Sequence, residues 1–290
     1  MAERDGLVWD DHPQLRRPVL VAGFEGWNDA GDAASDAAAW LTRRFSASRF
    51  AWIDPEEHFD FQSRRPEVEL VDGVTRKITW PANEYFAVPV GPDRDLVVLR
   101  GVEPSYRWHS FCRAVLTVAT ETGCEMVVTF GALLADVPHT RQAPITGTAT
   151  DPELIERLAL TRSRYEGPTG IVGVLHDACR GAGMASASLW APVPHYVAAP
   201  PNPVATRAIL DRFAELIGAP LELRELDELA ETWRRRVDEI VADDDDVLGY
   251  VRKLEERVDS QEAGELEIPT GDALAAELER FLRDQRGESE

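Results

Sequence analysis

The densest group of residues able to do chemistry is Gly23-Phe24-Glu25-Gly26-Trp27-Asn28-Asp29-Ala30-Gly31-Asp32. Glu25, Asp29 and Asp32 supply three carboxylates and Asn28 a carboxamide. Hard oxygen ligands of this kind suit a divalent cation. They do not suit a phosphate. The carboxylates repel it, no Lys or Arg lies nearby in the chain, and the glycine spacing is neither GxGxxG nor GxxxxGK[ST]. A structural reading competes with the cation. Asn28 or Asp29 caps a helix, the carboxylates sit at the favourable end of its dipole, and the glycines make the turn.

A second candidate is Pro138-His139-Thr140-Arg141. His139 has the chemistry of a general base and Arg141 that of an anion anchor. Other groups are weaker. His176 precedes Asp177, His195 lies between Pro194 and Tyr196, and His58 and His109 have aromatic residues close by. Neither HExxH nor GxSxG occurs. Cys112, Cys124 and Cys179 form no CxxC pair, and no basic pattern singles one out as a nucleophile. No catalytic residue is assigned, and no cofactor or resident metal is expected.

The elements around these residues explain their placement. Pro18 to Phe24 and Glu125 to Leu134 are continuous apolar runs, the mark of strands covered on both faces. Ala33, Ala34, Ala37, Ala38 and Leu41 share one helical face, and their small side chains allow close approach to a sheet. Further strands are expected at Phe50–Asp54, Val74–Trp80, Glu84–Val90, Asp95–Gly101, Gly170–Asp177 and Ser186–Val197. Pro81-Ala82-Asn83 reads as a turn joining Val74–Trp80 to Glu84–Val90 in an antiparallel hairpin or sheet edge. Helices are expected at Tyr106–Thr122, stopped by Gly123, at Pro152–Leu160, capped by Asp151, and at Val204–Ile217, stopped by Gly218. Residues 1–17 are polar with isolated apolar residues and read as a mobile or peripheral arm.

Strands thus alternate with helices, and the most apolar strands show no period of two. This predicts an α/β fold with a mainly parallel, mixed sheet between layers of helices. The turn after the first strand and the loop after Leu134 then leave the same edge of the sheet. Ligands of open α/β folds bind at that edge. A cleft holding Glu25, Trp27, Asn28, Asp29, Asp32, His139 and Arg141 is therefore the candidate site.

After Pro220 the texture changes. Leu223, Leu226, Leu229, Trp233, Val237 and Ile240 step by three or four, Asp243–Asp246 interrupts, and Val247, Val251, Leu254 and Val258 resume. A last helix is expected at Asp272–Gln285. The chain divides into a core of residues 1–220 and a helical subdomain of residues 221–290.

Composition narrows the partners. Asp and Glu number 52 against 31 Lys and Arg, a net charge of -21 among 290 residues. Such a field repels nucleic acid and anionic membranes. No stretch approaches 18 apolar residues, the N-terminus lacks an apolar core of a leader, and sparse cysteines fit a reducing compartment. A cytoplasmic protein binding neither nucleic acid nor membrane is expected.

Three segments carry a family resemblance. Pro18 to Ala38, PVLVAGFEGWNDAGDAASDAA, resembles the opening motif of the proteasome assembly chaperone 2 family in its actinobacterial branch. Gly131–Arg141 and Ile268–Arg283 are similar to that branch too. The resemblance implies a three-layer α/β/α sandwich of the phosphorylase/hydrolase-like kind. It also implies a role like that of the eukaryotic members, chaperones of proteasome ring assembly. Some members contact proteasomes through a C-terminal hydrophobic-Tyr-any motif. Here the last residues are Arg286-Gly287-Glu288-Ser289-Glu290, so docking by such a tail is not expected.

Together these readings favour a non-catalytic protein-binding role, with a proteasome-related subunit or another protein as partner. Eight tryptophans and the aromatic hairpin region add an expectation of homo-oligomers, because exposed sheet edges are normally covered. The alternative is a small-molecule-binding protein or hydrolase-like enzyme using the cleft beside Glu25–Asp32. A third reading makes residues 221–290 a regulatory tail that covers or presents a surface.

Overall fold

Apolar strands with no exposed face must lie at the centre of a layered fold, and they do. The computed structural model describes residues 4–142, 144–157, 161–162 and 166–261. In chain order the strands and helices are β1 (Leu7–Trp9), β2 (Val19–Glu25), α1 (Ala33–Arg44), β3 (Ser48–Ile53), β4 (Glu67–Val71), β5 (Thr75–Thr79), β6 (Asn83–Pro89), β7 (Asp95–Val102), α2 (Trp108–Glu121), β8 (Met126–Ala135), β9 (Thr146–Ala149), α3 (Pro152–Arg157), β10 (Thr161–Arg162), α4 (Ile171–Ala182), β11 (Ser186–Pro194), α5 (Pro203–Ile217), α6 (Arg224–Ala242) and α7 (Asp245–Gln261).

The main sheet runs β1-β3-β6-β7-β2-β8-β11-β9-β10. Its centre, β7-β2-β8-β11, is parallel. Antiparallel strands extend it on both sides, β6, β3 and β1 beyond β7, and β9 beyond β11. One face of the sheet packs on α1 and α5 through Val19, Val21, Phe130, Leu41, Ile209 and Phe213. The other packs on α2 and α4 through Leu20, Phe24, Val127, Phe111, Val115 and Leu175. This is the expected three-layer sandwich.

Close approach of α1 rests on small residues. Ala33, Ala34, Ala37 and Ala38 are all buried against the sheet. A Cβ on Gly23 of β2 would stand 2.4 Å from the Ala34 carbonyl oxygen and 2.9 Å from the Ala38 Cβ. Only glycine leaves room for the helix at that point.

The helix ends follow the expected chemistry. Asn202 accepts a hydrogen bond from the Ala205 N–H at 3.0 Å, with Pro203 at the first position of α5 and Gly218 left-handed after its last. Gly123 and Gly183 play the same left-handed part after α2 and α4. Asp151 accepts from the Glu153 N–H at 2.9 Å.

Three expectations need correction. Gly170–Asp177 is not a strand but the start of α4, whose buried residues Ile171, Val172, Leu175 and Cys179 share one helical face. A short apolar run of Ile, Val and Leu does not by itself distinguish strand from helix. Residues 1–17 are not all peripheral, because β1 pairs antiparallel with β3. Thr75–Thr79 does not pair with Asn83–Pro89. Its partner is β4, across the Asp72-Gly73 turn, while β6 joins the main sheet between β3 and β7. The Asp243–Asp246 interruption separates α6 from α7, and the Asp244 carboxylate caps α7 by accepting from the Asp246 and Val247 N–H groups at 3.0 and 3.1 Å.

The α6–α7 pair makes apolar contact with the body at two places. Leu223 and Leu226 at the start of the segment enter the core beside α5. Farther along, Val237, Val241 and Val251 gather around Tyr196, Val197 and Trp233. The expected helix at Asp272–Gln285 lies outside the described residues.

Candidate functional site

The turn between β2 and α1 leaves the carboxyl edge of the parallel sheet, as the alternation of elements required. Its backbone reverses on left-handed residues, Gly26 at φ +132, Gly31 at φ +60 and Asp32 at φ +54. Gly31 also needs its missing side chain, because a Cβ there would lie 2.9 Å from that of Asn202. The Ala132 N–H donates to the Asn28 carbonyl at 2.8 Å, which ties the turn to β8.

The turn's side chains diverge. Asp29 is buried and faces the start of α1. Its Oδ1 accepts from the N–H groups of Ala34 and Ser35 at 2.7 and 3.1 Å, and its Oδ2 accepts from Ser35 Oγ at 2.5 Å. Burial nevertheless outweighs these donors and pushes its carboxyl up to about 6. Asn28, also buried, turns the other way. Its Nδ2 donates to Glu103 Oε1 at 3.0 Å, and the same oxygen accepts from the Ile171 N–H at 2.8 Å at the start of α4. Gly170 is pressed against this pair: a Cβ would lie 2.1 Å from Asn28 Nδ2. Glu25 reaches outward to Arg64 in an exposed ion pair. Asp32 is exposed, and Trp27 keeps 60% of its surface in solvent. Among the described residues no group of three metal-type ligands converges.

The loop after β8 is held by a different part of the chain. His139 is 3% exposed. Its backbone N–H and its Nδ1 both meet the Tyr196 hydroxyl, at 2.8 and 2.7 Å, and its Nε2 meets Asp238 Oδ1 of α6 at 2.9 Å. Burial pushes the Tyr196 hydroxyl up to about 12, so it stays protonated and keeps its donor. Thr140 donates to Glu255 at 2.5 Å. Arg141 forks onto Asp259 at 2.8 and 2.7 Å and reaches Glu255 at 3.3 Å. Arg257 returns the contact by donating to the Asp136 carbonyl at 2.7 Å. The loop is thus the seat on which α6 and α7 dock.

Asn28 therefore bonds to Glu103 and Asp29 to α1, while His139 and Arg141 bond to α6 and α7. Where the second pair approaches the sheet edge, beside Pro192, Pro194, Asn202 and Trp233, the cavity is about 10 Å³. Small-molecule pockets occupy roughly 300–1,000 Å³. A larger hollow, about 440 Å³, opens at the opposite edge between Arg94, Glu125, Met126 and the end of α5. Its Arg94 and Glu125 already pair at 3.0 Å.

The remaining reactive types are quiet. Burial pushes the Cys112 thiol up to about 12 and those of Cys124 and Cys179 up to about 11, which disfavours thiolates. His176 lies on α4, not at a strand end, and bonds to Ser186 Oγ at 3.0 Å. Burial lowers its affinity for a proton.

Sequence reasoning missed Glu103, Tyr196 and Asp238. Glu103 follows β7 at the same carboxyl edge, a position that gave a usable signal. Asp238 lies 99 residues from its histidine partner, and nothing local to it marks the pairing.

Comparison with known proteins adds what the geometry does not hold. The PAC2 family model matches residues 23–241, from β2 through nearly all of α6. The crystal structure of a PAC2 family protein from Streptomyces avermitilis is 52% identical at a TM-score of 0.75, covering 81% of this chain and 99% of the other. A proteasome-assembly chaperone homologue from Mycobacterium tuberculosis is 46% identical at a TM-score of 0.75, covering 80% of this chain and 99% of its own. An archaeal proteasome activator from Pyrococcus furiosus, at 20% identity, shares the fold with a TM-score of 0.66, covering 81% and 97% of the two chains. No curated protein matches the chain. Among the described residues no helix is long and apolar enough to cross a membrane.

Proposed function

The chain belongs to the PAC2 family, and on that premise we propose that it is a non-catalytic protein-binding protein that assists proteasome-related assembly. The observation that carries this reading is the 46% identity to the M. tuberculosis proteasome-assembly chaperone homologue, spanning 99% of that protein. Two physical features support it. The polar side chains buried at the carboxyl edge of the sheet serve as helix caps and docking bonds, and the cavity beside His139 is about 10 Å³. An enzyme needs a reacting group in contact with a bound substrate. A binding protein needs a surface.

The partner in this reading is a proteasome ring subunit. The test mixes the purified chain with purified proteasome α and β subunits. Native mass spectrometry follows complexes, and gel filtration follows the rate of ring formation. A stoichiometric complex with ring subunits, together with faster assembly, is the expected result. Absence of both at micromolar concentrations refutes the proposal.

A further inference from the structure

The β4–β5 hairpin is a two-stranded sheet apart from the main one, and every residue of both strands is exposed. Its two sides differ in chemistry. Opposite residues of an antiparallel pair point the same way. Val68 with Ile78 and Leu70 with Arg76 therefore line one side, while Glu67 with Thr79 and Glu69 with Lys77 line the other. Alternation carries the first side on to Trp80, whose ring meets Phe61 at the hairpin's base with centroids 4.8 Å apart. Val68, Leu70, Ile78 and Trp80 keep 59%, 63%, 57% and 46% of their surface in solvent. Both strand carboxylates fall on the far side, so the charge on the apolar side is Arg76. Among the described residues Arg76 has no ion-pair partner.

Two exposed strands are marginal in water, and packing against a helix is one arrangement that makes them stable. The chain holds a fitting segment. It runs 29 residues beyond Gln261, the last residue of α7, and Leu274, Leu278, Phe281 and Leu282 there step at helical intervals. We propose that residues 272–285 dock as an amphipathic helix on the apolar side of the β4–β5 hairpin of the same chain.

Length, reach and charge select this occupant. A helix of those 14 residues is about 21 Å long. Strand β5 continued to Trp80 is about 20 Å long. Residues 262–271 span up to about 35 Å when extended. Their starting point suits the purpose, because Asp259, two residues before the end of α7, is held at 2.8 and 2.7 Å by Arg141 in the loop that leaves β8. The hairpin's base is tied to the neighbouring strand, since Arg64 pairs with Glu25, the last residue of β2. Both anchors thus lie at the carboxyl edge of the sheet. Residues 262–290 carry nine carboxylate side chains and three arginines, a net charge of -6. On the helix, Glu277 and Asp284 stand one turn either side of Phe281 and border the apolar face, while Arg280 and Arg283 fall behind it. An acidic border therefore meets Arg76. A second copy of the hairpin would instead bring the same positive charge to a side that already carries it.

Hydrogen exchange of the full chain, read segment by segment at about 1 µM and about 50 µM, tests the proposal. Residues 67–79 are expected to exchange slowly, and equally so at both concentrations. Leu278→Glu/Phe281→Glu should quicken them by at least roughly 10-fold and leave β2 and β8 unchanged. Val68→Glu/Ile78→Glu should in turn quicken residues 272–285, whose own sequence it leaves intact. Arg76→Glu should quicken both segments about threefold, and Glu277→Arg added to it should restore most of the protection. Fast exchange of residues 67–79 in the wild type overturns the proposal, as does a Leu278→Glu/Phe281→Glu variant that exchanges like the wild type. Protection that rises with concentration overturns it too, and assigns the hairpin to a second copy.

Discussion

Replacing Gly23 by alanine tests whether the glycine- and alanine-rich opening motif is a packing device. The added Cβ would stand 2.4 Å from the Ala34 carbonyl oxygen, 3.1 Å from its carbonyl carbon and 2.9 Å from the Ala38 Cβ. Ordinary separations are about 3.5–4.0 Å. The obstruction is helix backbone, which no rotamer change can clear, so α1 must retreat by about 1 Å. Overpacking of this kind costs about 1–3 kcal/mol. Alanine recovers about 0.5–1 kcal/mol through its lower backbone entropy in the unfolded chain. The net expectation is a loss of about 1–2 kcal/mol. Urea unfolding followed by circular dichroism measures it as a lower midpoint at unchanged slope. Gly91→Ala is the control, since nothing lies within 4 Å of its Cβ and its φ is ordinary; it should stay within about 0.5 kcal/mol of wild type. If Gly23→Ala were as stable as Gly91→Ala, the packing account of the motif would be wrong.

Two other perturbations probe the candidate residues. Folding raises the Asp29 carboxyl from 3.8 to about 6, so the folded chain holds this proton more tightly than the unfolded chain does. Its contribution to stability is therefore largest below pH 3.8 and falls as pH rises to about 6, by about 3 kcal/mol in all. Asp29→Asn keeps an acceptor for Ala34 and Ser35, and its stability relative to wild type should rise by about 2 kcal/mol between pH 4 and pH 7; parallel pH profiles of denaturation midpoint would rule this out. Tyr196→Phe removes the hydroxyl that meets the backbone N–H and the Nδ1 of His139 and leaves buried polar atoms unpaired, at a cost of about 1–3 kcal/mol. Hydrogen exchange should quicken in α6 first, and a uniform change across the molecule would argue against a local docking role.

The difference between what could be read in the chain and what could not has a consistent cause. Pro18–Phe24 and Glu125–Leu134 were legible as buried central strands because each lacks a polar face. The stops at Gly123 and Gly218 were legible because left-handed backbone favours glycine. Gly170–Asp177 was misread because an apolar run long enough for two helical turns is also long enough for a strand. The β4 partner of β5 was missed, although Asp72-Gly73 is a strong hairpin turn, because Glu67–Val71 carries two carboxylates and looks like a loop.

By itself, then, the sequence determined the alternation of elements, the carboxyl edge at which Asn28 and His139 emerge, the close-packed helix after Gly23 and the acidity that disfavours polyanions. These properties depend on neighbours a few residues apart or on totals. Only the tertiary structure decided that Asn28 turns to Glu103 and Asp29 to α1, while His139 and Arg141 turn to Asp238, Glu255 and Asp259. Those pairings join residues up to 118 positions apart. They depend on which face of each element is turned inward, and no local pattern records that choice.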